Sequence, residues 1–382
     1  MKVLLHHINA GGYLMHLKFL VQALAKEYPE DTYYVLCMES SELTTLGEIP
    51  NVRIIALKKQ LHLEWTRFRM ALGGVARIAR EHQVDLIWSI NIGLYRRSGI
   101  PQLLSLRNAY QVYPWKVARY HPDSQFRTAM LRLFFRRSLC VSDAVVTQTP
   151  LMAKCVSAIS QAPSLVFVVP KAVETTAEVT FEPLPPPVSC LLEGGLGSSA
   201  FTFFYAAACD PHKNHLMLIS CLEILRREGV RTRVGVTVSR DELLAKLGPG
   251  VRDLINSGYL LPFGSISKQH LRPLYQRCDA CLMPSLLESL SSAHLEAMQW
   301  GKPQIVADLP YAHDLCGEAA VYAQPEDPAD WAERIRQLMA DSELRERLVR
   351  AGRHQMESYP KSWRENARQF HECLVKTVQT RR

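Results

Sequence analysis

Two acidic residues and one lysine carry the chemistry that this sequence makes available. Glu288 and Glu296 stand in the stretch Pro284 to Gly301, with Ser289, Ser291 and Ser292 between them. An apolar run, Ala280 to Met283, leads in, and Leu295, Ala297 and Met298 lead out at helical spacing. Strand, polar turn and helix is the order in which a helix N-terminus offers unpaired backbone amides to an anion. A helix starting near Ser291 leaves Glu288 in the loop before it and sets Glu296 inside it. Lys213 lies in a similar segment, Cys209-Asp210-Pro211-His212-Lys213-Asn214-His215, between an apolar run and a helical pattern. An ammonium there adds a full charge to the helix dipole and suits a diphosphate. Each feature also has an ordinary explanation. A Ser before a helix is commonly an N-cap, and Glu and Lys side chains are usually solvated.

Other chemistries find less support. The sequence lacks HExxH, a second CxxC beside Cys278 and Cys281, and an Asp-x-Asp pair to hold a divalent ion on a diphosphate. His212 and His215 are spaced i, i+3, without an evident third ligand, so no metal site is assigned. GxSxG is missing, and GxGxxG does not follow the first apolar run, which disfavours a hydrolase elbow and a dinucleotide site.

The elements that must position these residues form two alternating series. Lys2 to Ile8 reads as a buried strand, broken by Asn9-Ala10-Gly11-Gly12 and followed by Leu14, Leu17, Leu20, Val21 and Leu24 at helical spacing. Gly11 and Gly12 either admit a ligand closely or make a plain tight turn. Strands are expected at Thr32 to Cys37, Val52 to Ala56, Leu86 to Ser89, Leu103 to Leu106 and Ala144 to Thr147, with helical patterns between most of them. From Thr175 to Ser199 the chain is rich in Pro and Gly, a composition that predicts a linker without a helix. The second series places strands at Phe201 to Ala207, Arg233 to Val238, Tyr259 to Pro262, Ala280 to Met283, Gln304 to Ala307 and Ala320 to Tyr322. A helix is expected over Asn214 to Arg227, and Trp363, Ala367, Phe370 and Leu374 mark one face of a last one. The expected class is α/β: two Rossmann-like doubly wound parallel sheets facing across a cleft, with the C-terminal helix packing back toward the first domain. The expected domains are 1–175, a linker at 176–200, 201–360, and a crossover helix at 361–382.

The net charge of +8 is localised. Asn51 to Arg137 carries sixteen Lys or Arg against four acids. Such a face attracts anionic lipid head groups or a phosphorylated acceptor, or is simply solvated; no nucleic-acid motif accompanies it. Ten Cys without framework spacing, several in apolar runs, fit a reducing compartment and buried thiols. No signal-peptide pattern is read at Met1, and no apolar run approaches the length of a membrane span. The expected setting is cytoplasmic, with any membrane attachment peripheral at the inner face.

Lys213 and the Glu288/Glu296 segment together resemble the retaining glycosyltransferases of family 4, which have the GT-B fold. Ala297-Met298, Gly301-Lys302-Pro303, Pro284-Ser285 and Ala312-His313-Asp314-Leu315-Cys316-Gly317 also match that pattern. Tyr205 and His212-Lys213-Asn214 look like the subgroup that builds bacterial surface polysaccharides, several of whose members are mannosyltransferases. The resemblance implies transfer of a hexose, with a lean to mannose, from a GDP- or UDP-linked sugar to a polysaccharide or lipid-linked glycan, with retention and without metal or other cofactor. It implies that Lys213 binds the donor diphosphate, Glu296 the ribose, and Glu288 the sugar near the reacting carbon. The amides of Leu290, Ser291 and Ser292 would face the diphosphate, Gly11 and Gly12 would line it, and Arg107 and Asn108 would lie on the acceptor side. Departures include Ala208 where many members have Arg, Ser289-Leu290-Ser291 for Gly-Phe-Gly, and Lys171-Ala172 for Asn-Gly. Two other readings share the fold: a nucleotide-sugar epimerase or hydrolase, and a catalytically silent partner subunit.

Overall fold

The computed structural model describes residues 1–8, 14–58, 63–121, 123–159, 163, 165–173, 181–197 and 199–381. The chain divides into two compact units. The first comprises Met1–Arg119, Asp123–Val173 and Pro360–Arg382, and the second Glu174–Tyr359 with the short Tyr120–Pro122 segment.

Among the described residues, the first unit contains one seven-stranded parallel sheet. Its strands are β1 (Lys2–His6), β2 (Thr32–Met38), β3 (Val52–Leu57), β4 (Leu86–Ile90), β5 (Gln102–Ser105), β6 (Ala144–Thr147) and β7 (Leu165–Val168), in the order β3-β2-β1-β4-β5-β6-β7. Leu86 to Ile90 and Ala144 to Thr147 are buried at every position, as strands covered on both faces must be. The last helix, Trp363–Gln379, belongs to this unit. Its Trp363, Ala367, Phe370 and Leu374 join the core formed by β1 and helix Leu14–Glu27, and the Phe370 ring lies 4.4 Å from that of Trp88. Burying each large side chain of this kind contributes roughly 1.5–3 kcal/mol.

The second unit contains a six-stranded parallel sheet among the described residues. It is built from β8 (Phe201–Tyr205), β9 (Thr232–Val236), β10 (Leu260–Pro262), β11 (Ala280–Met283), β12 (Gln304–Ala307) and β13 (Val321–Ala323), in the order β10-β9-β8-β11-β12-β13. Strand order reverses between β8 and β11, which pair through Ala280↔Phe203 and Cys281↔Phe204. A crevice opens at the carboxyl ends of two such strands because their connections leave in opposite directions.

Two expectations are corrected. The Pro-rich stretch does contain a helix, Pro186–Glu193, with Pro at its first turn. Proline is acceptable there because the first-turn amides lack intrahelical partners in any case. The first sheet also gains β7, the apolar run Leu165-Val166-Phe167-Val168, which is not among the expected strands.

Candidate active site at the strand reversal of the second unit

Lys213 and Glu288 come from the two loops at the strand reversal. After β8 the chain makes a short 3-10 turn, Pro211–Lys213, in which the Lys213 amide donates to the Asp210 carbonyl at 2.9 Å. Asn214 then takes a left-handed conformation with φ of 56°, one that Asn tolerates better than most residues, and its side chain donates to the Pro325 carbonyl at 2.8 Å. Helix His215–Arg227 follows. After β11 the loop runs through Ser285 and Glu288 to helix Ser292–Gln299, with Ser291 as N-cap residue.

The loops are joined directly. The Leu286 amide donates to the His212 carbonyl at 2.7 Å. Tyr205, fully buried at the end of β8, donates to the Lys213 carbonyl at 2.9 Å, and its hydroxyl lies 2.9 Å from Ser285 Oγ. The Tyr311 hydroxyl donates to the Ser285 carbonyl at 2.5 Å. In this frame Lys213 Nζ donates to Glu288 Oε1 at 2.5 Å, with both side chains largely buried. Burial raises the Glu288 carboxyl's pKa. The charge and hydrogen bond of Lys213 outweigh that effect, helped by His294 and His212, and hold it below the ordinary carboxylate range.

Three neutral imidazoles surround the pair. Burial first of all brings His294 down to about 4, opposed by Glu288 and reinforced by Lys213. Burial and then Lys213 bring His215 down to about 4 and also lower His212. Among the described residues, neither ring nitrogen of His294 or His215 has a hydrogen-bond partner. At neutral pH these rings add no charge, and the charged groups acting on them include Lys213, Glu288 and Asp210.

Glu296 lies in the second turn of helix Ser292–Gln299 and accepts a hydrogen bond from the Tyr275 hydroxyl at 3.1 Å. Leu290 and Ser291 are buried in the loop entering that helix, and Ser292 is its first residue. The Ser291 side chain does not cap the helix, so this terminus keeps the polarity that favours an anion. A cation, a carboxylate and a helix terminus thus meet at one strand reversal. The pair has capacity to spare: Lys has three donors, and a carboxylate has two acceptor oxygens.

Gly11 and Gly12 fall outside the described residues. Arg107 and Asn108 belong to the first unit, where the buried Arg107 donates its amide to Asn91 Oδ1 at 2.8 Å and Asn108 precedes a 3-10 turn. Among the described residues no group of three or more His, Cys, Asp or Glu is placed to hold a metal ion. Ser285 enters the sequence reading only as part of the family pattern, and Tyr311, Tyr275 and His294 do not enter it. A polar residue flanked by buried apolar ones, as His294 is by Ala293 and Leu295, is the signal that marks such a position.

Comparison with known proteins bears on this arrangement. The family described as "Glycosyl transferases group 1" matches residues 194–355. The chain is 32% identical over 136 residues to the O-antigen chain mannosyltransferase RfbU of Salmonella typhimurium. That alignment covers 36% of this chain and 38% of the relative, so well under half of each protein is compared. Sucrose-phosphate synthase from Thermosynechococcus elongatus superposes with a TM-score of 0.72 at 16% identity, covering 99% of both chains. HepE of Anabaena, solved in complex with UDP and glucose, superposes with a TM-score of 0.69 at 16% identity, covering 98% of this chain and 99% of that one. Residues 194–355 therefore form a glycosyl transferases group 1 domain, and the chain has the GT-B fold.

Proposed function

We propose that this protein transfers a hexose, with mannose the leading candidate, from a GDP- or UDP-linked donor to a polysaccharide or lipid-linked glycan, retaining the anomeric configuration. The ion pair between Lys213 and Glu288, formed where β8 and β11 diverge, carries the reading. The mannosyltransferase name of RfbU supports the lean to mannose, and HepE supplies a precedent for UDP on this fold.

Breaking a sugar–diphosphate bond leaves negative charge on the departing phosphate. Lys213 and the N-terminus of helix Ser292–Gln299 stabilise that charge without requiring a metal or other cofactor. An ammonium about 4 Å from the phosphate in a partly dry site contributes about 4 kcal/mol. That is nearly three decades of rate if it acts only in the transition state. The amides of Leu290, Ser291 and Ser292 face the diphosphate. Glu288 keeps one oxygen on Lys213 and accepts a sugar hydroxyl with the other, while Glu296 accepts from the ribose. Arg107 and Asn108 act on the acceptor side. The acceptor hydroxyl attacks the anomeric carbon on the face the diphosphate leaves, and its proton passes to the departing phosphate oxygen. The bond forms and breaks on one face, so configuration is retained. We place the enzyme in the cytoplasm, working on acceptors at the inner face of a membrane.

A thermal-shift panel of GDP, UDP, ADP and dTDP tests the donor site. A nucleotide at 100 times its dissociation constant adds about 2.7 kcal/mol of stability. No response to any of the four would remove the basis for a nucleotide-sugar donor. Product analysis with and without acceptor separates a transferase from a hydrolase or epimerase of the same fold.

A further inference from the structure

A cavity of about 430 Å³ lies at the amino end of the second unit's sheet. Lys213 and Glu288 follow the carboxyl ends of β8 and β11, so the cavity is separate from the candidate active site. Asp279 and Pro303, each one residue ahead of β11 and β12, line one side. The other side is one face of helix Ser342–Met356, where Arg345, Glu346, Val349, Arg350 and Arg353 recur at helical spacing. Three guanidinium groups therefore share the cavity with two carboxylates.

The carboxylates do not use up these cations. Asp279 Oδ2 accepts the Thr202 amide at 2.7 Å. Glu346 and Arg350 are both exposed and 3.6 Å apart, too far for a hydrogen bond. Arg345 is fixed in place: its Nη1 donates to the Leu338 and Met339 carbonyls at 2.7 and 2.8 Å, and its guanidinium lies 5.7 Å from the centre of the Phe201 ring. Arg350 and Arg353 are exposed and offer the planar fork that matches phosphate oxygens. Between the arginines stand the buried Pro303 and the half-buried Val349, an apolar surface with no use for inorganic phosphate. The volume is that of a small-molecule site.

We propose that this cavity binds a phosphorylated small organic molecule, with Arg350 and Arg353 on the phosphate and Pro303 and Val349 against the carbon skeleton, and that the bound molecule changes nucleotide affinity through helix Ser292–Gln299. The two helices meet closely: a methyl group on Gly352 would lie 3.2 Å from Met298 Cγ. Gly301, with φ of 64°, follows the end of helix Ser292–Gln299. A methyl group there would lie 3.6 Å from Val349 Cγ1 and 3.8 Å from Arg353 Nη2. Two cavity residues thus rest against the end of the helix that carries Glu296, and a ligand holding them acts on that helix. Binding in the cavity stands apart from the proposed transfer reaction; only its effect on nucleotide rests on that reading.

Calorimetric titration of the full chain with inorganic phosphate, glucose 6-phosphate and AMP, at constant ionic strength, tests the assignment. Glucose 6-phosphate or AMP is expected to bind, and which of them binds more tightly separates a sugar phosphate from a nucleotide as the ligand. Binding should persist in Lys213→Ala, which lacks the cation of the donor site. It should weaken about tenfold or more in Arg350→Gln/Arg353→Gln, through two lost charge-assisted contacts. Both arginines are exposed, so that variant should keep the wild-type melting temperature. With the cavity saturated, affinity for GDP or UDP should change about fivefold in the wild type and stay constant in the arginine variant. No binding of any probe, or binding unchanged in the arginine variant, would overturn the site. Binding lost in Lys213→Ala would assign it to the donor site instead, and inorganic phosphate binding as tightly as both organic phosphates would overturn the contact with a carbon skeleton. Retained binding with constant nucleotide affinity would overturn the coupling. Retained binding in a protein that takes up no nucleotide would overturn the donor reading and leave the cavity assignment standing.

Discussion

The Tyr205 hydroxyl lies 2.9 Å from Ser285 Oγ, joining the end of β8 to the loop after β11 beneath the Lys213–Glu288 pair. The same hydroxyl donates to the Lys213 carbonyl, so one buried group fixes the backbone that presents the cation and contacts the loop that presents the carboxylate. Tyr205 serves as a positioning residue, acting through Lys213 and Glu288.

Tyr205→Phe removes that hydroxyl while keeping the ring, and it leaves the Lys213 carbonyl and Ser285 Oγ short of a partner. Stability should fall by about 1–2 kcal/mol. Turnover should fall about tenfold with donor affinity changed less, because a small displacement of reacting groups costs rate more than binding. Urea denaturation and steady-state kinetics check the two parts separately. Wild-type turnover in a correctly folded Tyr205→Phe protein would show that the bridge does not position the pair.

Buried imidazoles make the fold sensitive to acid. His294, His215 and His7 are brought to about 4 and His6 to about 3, in each case first by burial. In the unfolded chain these rings take protons near pH 6.5. Between that value and about 4 the unfolded state holds more protons than the folded one, so stability falls as pH drops through this window. Each ring can account for up to about 3 kcal/mol of the loss. Glu288 acts in the same direction at lower pH, since its depressed pKa gives stability that disappears as the carboxylate is protonated. Denaturation curves at pH 7 and pH 5 should differ clearly, and His294→Leu should show a shallower dependence. Equal stability at the two pH values would contradict the burial of neutral rings.

Glu296 and Tyr275 provide a test of the nucleotide end. The Tyr275 hydroxyl holds Glu296 Oε2 at 3.1 Å and so fixes the carboxylate within its helix. Glu296→Ala should weaken nucleoside diphosphate binding by about 1–3 kcal/mol, the scale of a hydrogen bond to a charged group. Tyr275→Phe should weaken it by about 1 kcal/mol or less, because the acceptor remains but is less well oriented. Calorimetric titration measures both. If Glu296→Ala binds nucleotide as tightly as the wild type, the ribose contact is wrong.

Much of this was legible from local pattern. The runs of Val, Ile, Leu and Phe located most strands, because a parallel sheet covered on both faces needs continuous apolar sequence. The order of strand, polar turn and helix located Lys213 and Glu288 at carboxyl ends. What local pattern cannot express is adjacency. β11 is the third strand after β8 in sequence, yet the two pair, and this pairing brings residues 75 positions apart into an ion pair. The bonds of Tyr205, Ser285 and Tyr311 depend on the same adjacency, so nothing near each residue announced them. Pro186–Glu193 was hidden for another reason: its prolines were read as breakers, although at a first turn they start a helix. β7 is an apolar run of the same kind, Leu165-Val166-Phe167-Val168, so nothing physical in the sequence sets it apart from the strands that were legible.

Turnover of Lys213→Ala and Lys213→Arg, measured with the nucleotide sugar identified by the diphosphate panel, tests the central claim most directly. Lys213→Ala should lower kcat by about a hundred- to a thousandfold, as expected when a group facing developing charge is removed. KM for the donor should change much less, and Lys213→Arg should recover part of the rate because it keeps the positive charge. A kcat for Lys213→Ala within about threefold of the wild type, a difference too small for a lost transition-state contact, would contradict the account.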